Sequence, residues 1–132
     1  MIQLKRFGRN SVTAKGGNIS SKLTTHVAFP SDSLSLAPFT SSYLSPRLLA
    51  GDTEDGSSRP AKLSKLLQPD YTLYAVIVHY GSLDRGHYIT YVRVGGGPHW
   101  FKCDDAMVTP VALAEVLSSE AYLLFYVRER AD

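Results

Sequence analysis

Two titratable side chains in the second half of the sequence have the types of a general base and its orienting acid. His87 opens a segment that alternates polar and apolar residues, and Asp104 closes a second such segment, with Gly95-Gly96-Gly97-Pro98 between the two. This pattern predicts a β-hairpin. An imidazole held by a carboxylate can take a proton from a serine or cysteine nucleophile, as in hydrolases. A cross-strand pair of these two types is also common as a surface ion pair, so the spacing alone leaves both interpretations open.

The length of the hairpin turn decides how these two side chains meet. A two-residue turn at Gly95-Gly96 places His87 directly opposite Asp104, and a four-residue turn from Gly95 to Pro98 places them diagonally. Both registers keep the two side chains on one face of the hairpin. Directly opposed residues have Cβ atoms roughly 4.5 to 5.5 Å apart, which is close enough for a carboxylate to orient the ring.

Cys103 is the single cysteine of the sequence. Because side chains alternate along a strand, Cys103 is expected to point away from the face that carries Asp104 and His87. We interpret it as a small buried hydrophobic residue rather than a nucleophile. A lone cysteine also permits no internal disulfide, which favours a reducing compartment, the cytoplasm or the nucleus.

His79 lies at the end of a long apolar segment and has two interpretations. It can end a buried strand with its ring hydrogen-bonded, or it can shape a cleft. A metal site built from His79, His87 and Asp104 is a third possibility, because these residues supply the ligands of a facial triad, and it would make the protein a metal-dependent hydrolase. Tyr91 and Trp100 are most simply explained as packing residues.

The elements that must position these residues are mostly strands. Period-two patterns, β-branched runs and bounding turn residues predict strands over residues 2–7, 23–29, 71–80, 87–94, 99–104 and 121–128. Gly8 to Gly17 is expected to be a turn region. Thr109 followed by Pro110 predicts the start of a helix whose buried residues are Leu113, Val116 and Leu117.

Composition limits the class of protein. The 132 residues are 44% hydrophobic and 20% charged, with a net charge of +2, which predicts one domain over residues 1–132. The predicted strands and single helix make the fold class α+β, with an antiparallel or mixed sheet and few short helices. A Ser-, Pro- and Gly-rich stretch at 41–69 predicts a flexible insertion. The small net charge and the absence of an apolar segment of membrane-spanning length argue against nucleic-acid and membrane partners.

A combined string of motifs covers most of the chain outside that insertion. It consists of LKRF at 4–7, VAFP at 27–30, YTLYAVIVHYG at 71–81, GHYITYVR at 86–93, WFKCDDAMV at 100–108 and AYLLFYVR at 121–128. Together these motifs resemble the C-terminal half of the ubiquitin-specific protease (ubiquitin carboxyl-terminal hydrolase) catalytic domain. The resemblance implies the palm portion of a papain-like cysteine peptidase that cleaves the bond after the C-terminal glycine of ubiquitin.

The resemblance assigns roles to particular residues. His87 matches the family's general base, Asp104 the residue that orients it, and Asp105 a neighbouring position that helps the oxyanion in some members. Gly86 and Tyr88 flank the base beside the slot that receives the Gly-Gly tail of ubiquitin. A glycine suits that position because it leaves room for a threaded backbone. The family implies no cofactor and no catalytic metal.

The resemblance also implies that one catalytic group lies elsewhere. The family's nucleophilic cysteine lies in a Gly-Asn-Thr-Cys-type box near the start of the catalytic domain, and this sequence has no such box. We therefore expect the chain to be the half that carries the general base, with the cysteine-bearing N-terminal half, ubiquitin and ubiquitinated proteins as its partners. By itself the chain is expected to be inactive. The alternative is a catalytically inactive ubiquitin-binding or scaffolding module.

Overall fold

The computed structural model describes residues 1–12, 18–39, 70–82 and 85–128. Nine strands lie in these ranges: β1 (Ile2–Gln3), β2 (Phe7–Val12), β3 (Asn18–Lys22), β4 (Leu34–Ser35), β5 (Asp70–Gly81), β6 (Gly86–Arg93), β7 (Trp100–Asp104), β8 (Met107–Val111) and β9 (Ala121–Arg128). They also contain a 3-10 turn, Ala37–Phe39, and the helix α1, Leu113–Ser118. None of the helices described is long and apolar enough to cross a membrane.

The chain divides into two compact units. The first comprises residues 1–31 and 73–126, and the second comprises residues 32–72 and 127–132. In the first unit the sheet has the order β1-β9-β5-β6-β7-β8, and β2 pairs with β3 in a separate hairpin. In the second unit, β4 pairs antiparallel with the first residues of β5, Leu34 with Tyr71 and Ser35 with Asp70.

The fold is α+β with a mostly antiparallel sheet, which agrees with the α+β class and the antiparallel or mixed sheet predicted from the sequence. The pairings of β1 with β9, β5 with β6, β6 with β7 and β7 with β8 all run antiparallel. β5 and β9 are adjacent strands inside the sheet, each with a strand on either side. Both are rich in aliphatic and aromatic residues, which suits strands with neighbours on each side.

A single apolar cluster lies within the first unit. Its buried members are Leu73, Val76, Val78, Ile89, Tyr91, Trp100, Val116, Ala121 and Leu124. Val116 is the buried residue of α1, and the Tyr91 hydroxyl donates a hydrogen bond of 3.2 Å to the carboxylate of Glu115 on the same helix. Since Ile89 and Tyr91 alternate with outward residues on β6, α1 lies against the same face of the sheet that carries His87.

A buried cation fixes the N-terminal segment. Arg6 is 3% exposed, and its guanidinium donates to the carbonyl oxygens of Ala121 (2.5 Å), Leu23 (2.8 Å) and Thr25 (2.9 Å). The structure assigns no hydrogen-bond partner among the described residues to the third nitrogen, Nη2. The side chain thereby joins the start of β9 to the chain that follows β3.

Two strand predictions near Arg6 are wrong. Residues 2–7 do not form one strand: β1 ends at Gln3, and a tight turn in which the Arg6 N–H donates to the Leu4 carbonyl precedes β2. Residues 23–29 form no strand, and the carbonyls of Leu23 and Thr25 accept from the guanidinium of Arg6. The expected turn region at Gly8–Gly17 instead contains part of the hairpin β2–β3, while residues 13–17 lie outside the description.

The helix begins later than the sequence predicts. Thr109 and Pro110 lie within β8, opposite Lys102 and Phe101 of β7. Proline is tolerated there because β8 is the last strand of the described sheet, so its missing N–H breaks no internal ladder. The helix starts at Leu113 after Ala112, which caps it with no side-chain hydrogen bond. Of the expected helix face, Val116 is buried, Leu117 half-buried and Leu113 exposed.

The other expected elements are found in place. The strands at 71–80, 87–94, 99–104 and 121–128 correspond to β5, β6, β7 and β9, with differences at their ends only. Trp100 is buried in the core, as expected. The insertion expected at 41–69 lies outside the described residues.

Candidate active site

The turn between β6 and β7 is the longer of the two turns considered from the sequence. Thr90 pairs with Cys103 and Arg93 with Trp100, so Gly95 to Pro98 form a four-residue connection. Gly95 and Gly96 have φ angles of +63° and +68°, a conformation that residues with a Cβ rarely adopt. The glycines therefore allow the turn that sets the register.

This register places His87 and Asp104 at diagonal positions on one face. Nε2 of His87 and Oδ1 of Asp104 are 2.5 Å apart, which makes a short hydrogen bond. The side chains are 48% and 39% exposed, so the pair is open to an incoming reactant. Because Nε2 is engaged by the carboxylate, Nδ1 is the ring nitrogen that would exchange a proton with a reactant.

The hydrogen bond between the two side chains favours the charged form of each. The hydrogen bond that His87 donates to Asp104 raises the pKa of His87 above its ordinary value of 6.5, and burial opposes this effect only in part. The same hydrogen bond lowers the pKa of Asp104 below its ordinary value of 3.8. Lys102 contributes to the lower pKa, since its Nζ lies 3.7 Å from the second carboxylate oxygen, Oδ2. Asp104 is thus a carboxylate across the neutral pH range.

Asp105 occupies the tight turn between β7 and β8. Asp104 pairs with Met107, so Asp105 and Ala106 form the turn, and Asp105 has φ of +49°. Short polar side chains such as Asp and Asn tolerate this left-handed conformation. A ring nitrogen of His87 and one carboxylate oxygen each from Asp104 and Asp105 all lie within 4.8 Å of one another.

A cation could contact His87, Asp104 and Asp105 at this spacing. However, the His87–Asp104 hydrogen bond and the turn at Asp105 already explain why the three side chains lie close together. His79 is not a member of this group. It pairs with Tyr88, so its side chain lies on the face opposite to His87. The facial triad of His79, His87 and Asp104 that the sequence left open is therefore not formed.

Cys103 lies on the face opposite to the His87–Asp104 pair. It is the residue before Asp104 on β7, where it pairs with Thr90 and Val108, and it is half-buried with a free thiol. Since consecutive side chains on a strand point to opposite faces, its sulfur cannot serve the His87 imidazole without a rearrangement of the strand.

Gly86 and Tyr88 lie on either side of His87 at the start of β6. Gly86 pairs with Gly81 and Tyr88 with His79 across the β5–β6 ladder. Tyr88 is 55% exposed, and its ring centroid lies 4.7 Å from that of His79. The two residues that the resemblance places beside the ubiquitin tail thus form an exposed strand end.

A group of aromatic rings supports this strand end from behind. His79 is 5% exposed, and its ring contacts Phe7 at 5.3 Å between centroids as well as Tyr88. Tyr122 completes the group, 5.6 Å from Phe7 and 6.4 Å from Tyr88. Among the described residues His79 Nδ1 has no hydrogen-bond partner, so the expected ring hydrogen bond is not found at this atom. Burial, together with the nearby Lys22, lowers the pKa of His79.

Sequence reasoning did not find this aromatic group, although part of its signal was available. Alternation along the β5–β6 hairpin places His79 and Tyr88 on one face. Phe7 and Tyr122 come from segments near the two ends of the chain, and no local pattern links them to His79. They are brought together by the sheet order and by the hairpin β2–β3.

Comparison with known proteins supplies the family. The sequence matches the family model of the ubiquitin carboxyl-terminal hydrolases over residues 1–126. The chain belongs to the ubiquitin carboxyl-terminal hydrolase family.

Curated relatives agree with this assignment. Ubiquitin carboxyl-terminal hydrolase 22 of Bos taurus is 36% identical over 128 residues, which are 97% of this chain and 22% of the relative. Ubiquitin carboxyl-terminal hydrolase 27 of Homo sapiens is 37% identical over 111 residues, 82% of this chain and 23% of the relative. The chain therefore spans less than a quarter of the length of these relatives.

Solved structures share the fold. A SAGA Ubp8/Sgf11/Sus1/Sgf73 DUB module bound to ubiquitin aldehyde is similar with a TM-score of 0.69 and 30% identity, over 98% of this chain and 24% of that one. The same module bound to monoubiquitin, with a variant of Ubp8, gives a TM-score of 0.68 and 29% identity, over 98% and 23% of the two chains. These likenesses agree with the α+β fold described above.

Proposed function

We propose that residues 1–132 form the general-base half of a thiol-dependent deubiquitinase, which hydrolyses the bond after the C-terminal glycine of ubiquitin. The observation that carries this proposal is the 2.5 Å hydrogen bond between His87 Nε2 and Asp104 Oδ1 on an exposed strand end. The family supplies the reaction, and the ubiquitin-bound DUB modules supply the substrate class.

In the proposed reaction, His87 Nδ1 takes the proton of a cysteine thiol. The thiolate attacks the carbonyl carbon of the last glycine, and the tetrahedral intermediate collapses as His87 returns the proton to the leaving amine. Water then cleaves the thioester, with His87 again as the base. Asp104 holds the ring in position and stabilises the imidazolium at each proton transfer.

The thiol in this scheme comes from a segment other than residues 1–132. Cys103 is the sole cysteine of the sequence, and strand alternation turns it away from His87. A cysteine-bearing N-terminal half of the catalytic domain is the proposed partner. Without it, the base has no proton to accept, and the chain alone has no turnover.

Gly86, Tyr88 and Asp105 have supporting roles in the proposal. Gly86 and Tyr88 border the slot for the Gly-Gly tail, which agrees with their exposed position beside His87. Asp105 lies next to the site of the developing oxyanion. Because a carboxylate repels an oxyanion, its contribution requires a donor other than the carboxylate, such as a bound water molecule.

Complementation in trans tests the proposal. Residues 1–132 are mixed with a cysteine-box segment from a family member, and release of a fluorophore from the ubiquitin C-terminus is measured. We expect turnover that needs both pieces and that His87→Ala abolishes. His99→Ala is the matched control, because His99 is an exposed histidine at the far end of the same hairpin and should leave turnover unchanged.

Two results would contradict the proposal. Turnover that is insensitive to His87→Ala would exclude this residue as the base. Ubiquitin binding by residues 1–132 with no turnover in any combination, including a chimera in which these residues replace the matched region of the relative, would favour the inactive scaffolding module instead.

A further inference from the structure

A buried histidine that the proposed reaction does not use lies directly behind the general base. His79 is 5% exposed and sits on the central strand β5. It pairs with Tyr88, and the following pairs along the ladder are Tyr80 with His87 and Gly81 with Gly86. His79 therefore faces the opposite side of the sheet from His87 while contacting the residues on either side of it.

The ring of His79 fills the space that a side chain at position 86 would need. A Cβ atom built on Gly86 would lie 1.8 Å from Nε2, 2.5 Å from Cε1 and 2.8 Å from Cδ2 of His79. No non-bonded contact is this short, so a side chain at 86 and this ring position exclude each other. Gly86 immediately precedes His87, so the ring bears on the backbone that carries the base.

The ring is itself held on several sides. Phe7 and Tyr88 contact it at centroid distances of 5.3 and 4.7 Å. Lys22, on β3, donates a hydrogen bond to the His79 carbonyl oxygen, and its Nζ lies 3.8 Å from the Glu120 carboxylate. The hairpin β2–β3 thus contacts His79 in two ways: Phe7 packs against the ring and Lys22 binds the backbone carbonyl.

We propose that His79 is a positioning residue for His87: its ring supports the Gly86 backbone from behind and so keeps the His87 imidazole within hydrogen-bond distance of Asp104. On this view the glycine at 86 is required by its fit to His79, and not only by the passage of a substrate backbone. The catalytic consequence rests on the proposed function above, but the packing can be measured without turnover.

A double-mutant cycle on residues 1–132 tests the packing. Gly86→Ala, His79→Ala and the double variant are compared by following the His87 imidazole by NMR as pH changes. Contact with Asp104 keeps the pKa of His87 above 6.5, so this pKa reports whether the pair is in place. Asp105 and Lys102, which also face His87, are unchanged in every variant.

We expect Gly86→Ala to bring the pKa of His87 back toward 6.5. In the double variant with His79→Ala, part of the raised pKa should return, because the smaller side chain at position 79 makes room for the new methyl group at position 86. Such non-additivity is the signature of a direct contact. An effect of Gly86→Ala that is the same with and without the His79 ring would overturn the proposal.

A second comparison covers the case in which Gly86→Ala does not fold. His79→Phe keeps a flat ring of similar size, whereas His79→Ala removes it. We expect the phenylalanine variant to keep the raised His87 pKa and the alanine variant to lose it, with folding checked by thermal melting. A His87 pKa that His79→Ala leaves unchanged in a folded chain would also overturn the proposal.

Turnover in the complemented enzyme gives the catalytic readout. A misplaced base slows the chemical step, so His79→Ala should lower kcat by about 10- to 100-fold, with a smaller effect on KM, and His79→Phe should rescue most of the loss. If the unsubstituted chain shows no turnover in any complementation, the proposed function fails, while the NMR comparison still decides the role of His79.

Discussion

His87 and Asp104 form a short hydrogen bond although they are not direct partners in the β6–β7 ladder. The register that pairs Thr90 with Cys103 continues to place Asp104 two residues away from His87 along β6. Backbones at such diagonal positions lie about 7 to 8 Å apart, so both side chains must extend toward each other to reach the 2.5 Å contact. The hydrogen bond therefore depends on the length and charge of both side chains.

Asp104→Asn should lower the pKa of His87 toward 6.5. The amide is nearly the same size as the carboxylate but carries no charge, so it no longer favours the imidazolium. Chemical shifts of the His87 ring against pH measure the change. Asp105→Asn is the matched control, since Asp105 contributes only through a weaker, longer-range charge effect. A His87 pKa equally affected by both substitutions would contradict the assignment of Asp104 as the main partner.

The same pair predicts how stability depends on pH. His87 has a raised pKa in the folded chain, so its contribution is complete below 6.5 and is lost as pH rises through the raised value. Asp104 has a lowered pKa, so its contribution is complete above 3.8 and is lost as pH falls through the lowered value. The difference in melting temperature between the unsubstituted chain and Asp104→Asn should thus be largest at about pH 5. A difference that grows steadily from pH 5 to pH 9 would contradict this.

Asp104 and Asp105 should differ in their effect on turnover. In the complemented enzyme, Asp104→Ala leaves the base without its orienting group, and we expect a loss of about 10²- to 10⁴-fold in kcat. Asp105→Asn should stay within about threefold of the unsubstituted enzyme, because asparagine accepts the left-handed backbone and can donate to an oxyanion. A larger loss for Asp105→Asn than for Asp104→Ala would reverse the two assignments.

The buried guanidinium of Arg6 predicts a large stability effect far from the site. An ammonium cannot reach the carbonyls of Ala121, Leu23 and Thr25 together, so Arg6→Lys should reduce the free energy of unfolding by about 2 to 3 kcal/mol. Urea unfolding measures this. Lys5→Met, a substitution at the exposed neighbouring cation, is the control and should change stability little. Equal effects at positions 5 and 6 would argue against the buried contacts.

The contact between His87 and Asp104 was easier to predict from the sequence than the parts of the fold that support it. His87 and Asp104 lie within one hairpin whose glycine turn is visible in the sequence, and alternation fixes their common face in either register. Spacing alone could not choose between the registers. The contact of His79 with Phe7 and Tyr122 depends on strands from both ends of the chain, which no local pattern encodes.

The strand boundaries near Arg6 could not be read locally either. Alternation places Arg6 on the same face as Ile2 and Leu4, but an arginine is rarely buried, and the three distant carbonyls that accept from its guanidinium are not visible in any local pattern. At Thr109 and Pro110 a local pattern is present, but it predicts the wrong element. A threonine followed by a proline is typical of a helix N-terminus, but both residues pair with β7 and lie in a strand. Here the pairing between strands outweighs the local helix propensity.

Because α1 begins at Leu113 and not at Thr109, it has no capping side chain, and a substitution at the N-cap position should stabilise it. Ala112 has the extended backbone of an N-cap residue (φ −78°, ψ 149°) but makes no side-chain hydrogen bond. Ala112→Ser places a hydroxyl where it can accept from the free N–H groups of the first turn, and we expect a gain of about 0.5 to 1 kcal/mol.

This gain corresponds to a rise in melting temperature of about 2 to 6 °C for a domain of this size, which calorimetry or circular dichroism can measure. Ala114→Ser is the matched control, because Ala114 is exposed inside the helix, where serine is the poorer helix former and should cost about 0.5 kcal/mol. If Ala112→Ser destabilises as much as Ala114→Ser does, the helix does not begin at Leu113 and the cap assignment is wrong.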